Sequence, residues 1–216
     1  MRKSHVADRS SGQPAFAQEE ARKIMGEKNF FGQEEWTKFF GEKVQLATIP
    51  EIPWSQSELE NPGINQKHFL FLGLNCLDGE PLNLPIWREL YPGENHPKFY
   101  LDWYLTHDFA EKTCGLRWYL MPVGIVGGSN NLSYDRQVAM LPDKYEVPQT
   151  SARVAANILY YLLNKKYLDT NYWARTSDEF GGFRVSVQGD SDFGLGVYDW
   201  HVDAHDRIGV SASRKS

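Results

Sequence analysis

Near the C-terminus the chain reads His201-Val202-Asp203-Ala204-His205-Asp206, two imidazoles and two carboxylates within six positions. On a strand, residues two apart share a face, so His201, Asp203 and His205 would point the same way, and imidazole with carboxylate suits zinc or iron. A metal-dependent enzyme is the chemistry such a set supports. A catalytic metal also needs an open coordination position, a base and a pocket, and no HExxH or other spaced ligand set occurs elsewhere in the chain. Variation within a binding loop is the simpler account, so the metal enzyme is kept as an alternative, with no metal, cofactor or catalytic residue expected.

Other candidates carry less. Gly124-Ile125-Val126-Gly127-Gly128-Ser129 lacks both the Lys-Ser/Thr of a phosphate loop and a complete GxGxxG, and reads as a plain turn. His107-Asp108, with Asp102 near Trp103-Tyr104, fits a hydrogen-bonded core histidine better than a catalytic base. Cys76 and Cys114 are read as two buried thiols rather than a disulfide.

The elements that must position the tail come from periodicity. Helical spacing over residues 16–25 and 33–40 predicts two short helices ending at Gly26 and Gly41. Residues 44–49, 68–74 and 116–123 read as buried strands, and residues 84–90 as a short helix. Residues 151–164 give the clearest helix. Val154, Ala155, Ile158, Leu159, Leu162 and Leu163 fall on one face, with Thr150 or Ser151 as N-cap. After Asn164 the period becomes two. Phe183, Val185 and Val187 oppose Arg184, Ser186 and Gln188, and Val210 and Ala212 oppose Ser211 and Ser213. The expected architecture is mixed α+β without internal repeats: a loose arm over residues 1–15, then one domain over 16–216.

The tail is compositionally odd. The chain has 12 Lys and 15 Glu among 216 residues, yet residues 180–214 contain neither. Ordinary surface loops favour both, because they solvate well. Here Asp, Tyr, His and Phe take their place, and short or rigid side chains lose less entropy on contact, as in a paratope. From Ser186 to Ile208, every residue except Gln188 and Trp200 can be written by a codon ending in a pyrimidine. Asn codons altered at their two adenines generate that residue set.

The pattern Tyr172-Trp173-x-Arg175-Thr176-Ser177, a Gly-rich turn, Arg184-Val185-x-Val187, then a polar-aromatic run ending Gly209-Val210-x-Ala212, resembles the end of variable proteins made by diversity-generating retroelements. Those proteins use a C-type lectin fold, in the branch related to formylglycine-generating enzyme. The resemblance covers roughly the last 65 residues. It implies a C-type-lectin-like fold whose variable ligand-binding region lies at about 180–208. In this numbering it implies variable positions at Asp190, Asp192, Phe193, Gly196, Tyr198, Asp199, His201, Val202, Asp203, Ala204, His205, Asp206 and Ile208. Trp173, Arg175, Trp200 and Val210 would be fixed scaffold. The Glu-Pro-Asn and Trp-Asn-Asp motifs of calcium-dependent sugar binding are absent, and so is the cysteine pair that the enzyme branch would need near the C-terminal site.

Composition narrows the partner. A net charge of −5 without a Lys/Arg run argues against nucleic acid, and no apolar stretch approaches the roughly twenty residues of a membrane span. The first residues lack the apolar core of a secretory signal, which points to the cytoplasm or a virion. The expected function is binding of a macromolecular ligand, a protein above all. The other alternative is a structural component of a phage or viral particle.

Overall fold

The computed structural model describes residues 17–216, so the arm expected over residues 1–15 lies outside the described residues. The helices are α1 (Gln18–Met25), α2 (Gln33–Phe40), α3 (Gln56–Leu59), α4 (Pro62–Asn65), α5 (Leu84–Leu90), α6 (Tyr134–Ala139) and α7 (Thr150–Asn164). The strands are β1 (Phe30–Phe31), β2 (His68–Gly73), β3 (Cys76–Leu77), β4 (Glu80–Pro81), β5 (Arg117–Pro122), β6 (Tyr145–Glu146), β7 (Trp173–Phe180), β8 (Phe183–Asp190), β9 (Gly194–Trp200), β10 (Ile208–Val210) and β11 (Ser213–Arg214). The chain is mixed α+β. It has two larger sheets, β1-β2-β5 and β10-β7-β8-β9, and two short antiparallel pairs, β3-β4 and β6-β11. The β1–β2 and β10–β7 pairs are parallel, and the remaining pairs are antiparallel.

Helix α7 packs against β2 of one sheet and against β7 and β8 of the other. That explains why residues 150–160 are buried on every side, beyond the single apolar face seen in the sequence. Its N-terminus is capped from a distance. The expected cap, Thr150 or Ser151, lies inside the helix; the Thr150 N–H donates to Asp178 Oδ2 of β7 at 2.7 Å, and Asp178 Oδ1 also pairs with Lys112. Arg153 of α7 is fully buried against Asp169, with Nε donating to Oδ2 at 2.8 Å. Asn157 Nδ2 donates to the same carboxylate, and the Gly189 N–H donates to the Asp169 carbonyl, so this cluster joins α7 to the end of β8.

Helix α2 is pinned to the first sheet by Trp36, whose Nε1 donates to the Leu72 carbonyl at 2.8 Å. Residues 44–49 form no strand: Val44, Leu46 and Ile49 touch the core singly, no neighbouring ladder accepts the segment, and Pro50 and Pro53 bring no N–H donors. Cys76 is exposed and Cys114 buried, both as free thiols, which corrects the expectation that both are buried. Among the described residues, no helix is long and apolar enough to cross a membrane.

His68 of β2 carries a pH prediction. It is buried, its Nε2 hydrogen-bonds the Tyr145 hydroxyl at 2.9 Å, and Nδ1 has no partner among the described residues. Burial pushes its pKa down to about 4; the backbone of Gly63 and Ile64 opposes that shift, and the charge of Arg214 adds a small further push downward. The unfolded imidazole titrates near its ordinary value, so between about pH 6.5 and 4 the unfolded state binds the extra proton. Stability present above that window is lost as the pH falls through it, by up to about 3 kcal/mol. Melting curves from about pH 7 to 4 should show this loss, and His68→Gln should flatten it; parallel pH profiles for the two chains would disprove the assignment.

Candidate functional site

The second sheet builds the C-terminal surface. Gly181 and Gly182, both at positive φ (58° and 85°), turn β7 into β8 in the two-residue hairpin geometry that favours glycine. At the other end, Asp190 Oδ1 accepts from the Asp192 and Phe193 N–H groups at 2.8 and 3.0 Å and so holds the turn into β9. Ala174, Val187 and Val197 stand in register and are buried. One position along, Arg175, Ser186 and Tyr198 stand in register on the opposite face, beneath and beside the loop of residues 201–207.

That loop is not a strand, and this corrects the metal reading. Period-two geometry does not apply to it, and His201, Asp203 and His205 do not converge. His201 packs edge-on against Phe183 at 5.5 Å, and His205 lies against Trp200 at 5.2 Å. Each imidazole Nδ1 sits beside its own neighbouring carboxylate, Asp203 at 2.9 Å and Asp206 at 3.2 Å. Among the described residues, no three His, Cys, Asp or Glu side chains form a metal-binding set.

The loop is held by its main chain. Arg175, fully buried, donates from Nη2 to the carbonyls of His201 and Asp203, both at 2.6 Å, and from Nη1 to Leu132 O and Gln137 Oε1. The Tyr134 N–H donates to Val202 O and the Asn131 N–H to His205 O, both at 2.8 Å. Asn130 Nδ2 donates to Asp206 O at 3.2 Å, and the Trp173 N–H to Arg207 O at 2.9 Å. Gln137 Nε2 bridges Ser129 O and Ile208 O. Every acceptor that the loop itself offers is a backbone carbonyl and exists whatever the side chain.

The expected positions separate into groups. Asp192, His201, Asp203, Ala204 and Asp206 are exposed, Asp199, Val202 and His205 half-buried, and Phe193 and Tyr198 exposed at 63% and 40%. They do not form one patch: Asp190, Asp192 and Phe193, with Tyr100 against Phe193, lie at one end of β9, and His201 to Asp206 at the other, about 20 Å away along the strand. Two positions belong to the interior. Ile208 is 1% exposed within β10, and Gly196 is buried where a Cβ would sit 2.6 Å from Tyr100 Cζ. Gly196→Ala should therefore destabilise by about 1–3 kcal/mol in urea unfolding, while Phe193→Ala stays near the parent; equal values would overturn the division.

The scaffold residues also divide. Arg175 and Val210 are fully buried, whereas Trp173 and Trp200 are half-buried members of an aromatic band on the surface. The band runs His205, Trp200, Tyr198, Trp103, Phe180, His107, with successive ring centroids 5.2, 5.5, 6.2, 6.0 and 3.9 Å apart. Trp103 Nε1 donates to Val197 O on the outer edge of β9 at 2.7 Å, beyond the Phe99–Leu195 bridge. Sequence reasoning missed Trp103 and Phe180 as site residues and placed His107 in the core. The density of rings at Phe99, Tyr100, Trp103, Tyr104 and Phe109 was the available signal.

The fold and surface define a mixed α+β protein with a loop and an aromatic band displayed on one sheet. Compared with known protein families, curated proteins and solved structures, the chain matches none.

Proposed function

We propose that this chain is a ligand-binding protein of the C-type-lectin-like kind, whose C-terminal surface is diversified by a retroelement to recognise varied macromolecular targets, above all proteins. The observation that carries the reading is the division of labour in residues 201–207. Fixed residues grip the carbonyls, while His201, Asp203, Ala204 and Asp206 project outward. A loop held in this way tolerates exchange of its side chains, as a paratope does. Aromatic anchors such as Phe193, Tyr198 and Phe180 supply contact area at low entropic cost, ringed by aspartates.

A combinatorial library tests this. Positions Asp192, Phe193, Tyr198, Asp199, His201, Asp203, His205 and Asp206 are randomised together and the chains displayed on yeast. Most clones should keep protease resistance near that of the parent, and selection against unrelated proteins should yield binders. Loss of folding in most clones would defeat the proposal. A near-copy of the DNA encoding residues 180–208, differing only at adenines beside a reverse-transcriptase gene, is the genomic counterpart.

A further inference from the structure

We infer that a notch beside the displayed loop is the subsite for a cationic side-chain end, of the lysine or arginine kind, carried by a protein partner. The inference rests on the display function proposed above and specifies the chemistry of what is bound. The notch encloses about 240 Å³ and is lined by Thr106, His107, Asp108, Phe109, Glu179 and Phe180. Its walls are rings: His107 and Phe180 lie 3.9 Å apart between centroids, and Trp103 stands behind both at 5.1 and 6.0 Å. Phe180 leaves 41% of its surface in water, which is costly for a ring without a partner.

The rim is anionic. Asp108 is exposed and makes no ion pair or side-chain hydrogen bond among the described residues, and Glu179 keeps half of its side chain in solvent. The neighbouring cations are already engaged: Lys112 pairs with Asp178 at 2.7 Å, and Arg184 pairs with Glu179 at 3.0 Å while lying over the Tyr134 ring at 4.3 Å. An aromatic wall attracts a cation to its face, and a carboxylate rim strengthens that preference while disfavouring an anion or a purely apolar group. The wider field agrees. Residues 180–214 carry five aspartates against Arg184, Arg207 and Arg214 and no lysine, a balance that favours a basic partner at this surface.

The test is an amide-shift titration of the isotope-labelled full chain with N-acetyl-lysine methylamide, with N-acetyl-norleucine methylamide as the uncharged counterpart. Saturable shifts at His107, Glu179 and Phe180 are expected with the lysine probe and not with norleucine. Phe180→Leu and Asp108→Asn should each weaken lysine binding by about threefold to tenfold. If Phe180→Leu fails to fold, Asp108→Asn on the exposed rim carries the comparison alone. Absence of saturation, an equal norleucine response, or lysine binding unchanged in the variants would overturn the inference. None of the eight library positions lines the notch, so the display reading and this subsite can fail separately.

Discussion

An Arg175→Met chain is expected to melt about 10 °C below the parent, with the loss concentrated in the loop at 201–207. The guanidinium is fully buried and serves four acceptors at once: Leu132 O, Gln137 Oε1, His201 O and Asp203 O. Burial pulls its pKa below the ordinary arginine value, and the nearby Asp203 charge partly offsets this. Methionine matches much of the volume but donates nothing, so buried acceptors lose their partners, at about 3–5 kcal/mol in all. Hydrogen exchange locates the damage: the Asn131 and Tyr134 amides, which donate to loop carbonyls, should lose protection, while amides of β2 and β5 keep theirs. Arg175→Lys should fall between, because one ammonium cannot reproduce the fork that spans His201 and Asp203. A melting point within about 2 °C of the parent would refute the role given to Arg175.

The second large effect is expected at Asp169. Asp169→Ala leaves Arg153 fully buried with only the Pro122 and Gly124 carbonyls and the Met121 sulfur as partners, and strips Asn157 Nδ2 of one acceptor. Breaking a buried pair by removing one member costs about 3–5 kcal/mol, because the remaining charge stays desolvated. Replacing both, as Arg153→Met with Asp169→Leu, should recover much of that loss, since a buried pair and an apolar pair of similar volume are often nearly equivalent. A double-mutant cycle by urea unfolding reads the difference. A double variant no more stable than Asp169→Ala would mean that Arg153's grip on the backbone carbonyls, rather than its charge pairing, carries the cost.

The two sites act on different parts of the displayed surface. Asp169 anchors the end of β8 through Gly189, next to the Asp190 turn that presents Phe193. Arg175 anchors the loop at the opposite end of the sheet. The Arg175 side chain and the Asp169 main chain thus hold backbone at the two ends of the sheet.

Local patterns in the sequence determined several of the longer elements. The extents of α2 and α5, the core of α7, and the strands at 68–73 and 117–122 follow from apolar periodicity bounded by glycine and proline, which are nearest-neighbour effects. The absence of Lys and Glu from residues 180–214 was likewise plain in the sequence. Tertiary structure alone decided the rest. Ser186 and Ser211 read as solvent-facing but are buried, because α7 covers one face of the second sheet while the 201–207 loop and the 129–137 segment cover part of the other, and Ser213 is buried in β11, which pairs with β6 and packs against β5. Gly196 and Ile208 looked interchangeable with their neighbours until Tyr100 and the parallel pairing of β10 with β7 enclosed them. Trp103 and His107 joined the site across more than seventy residues of chain, through contacts with Tyr198 and Phe180. Such contacts follow from how sheets and helices stack, and periodicity records only which residues share a face, not what that face meets.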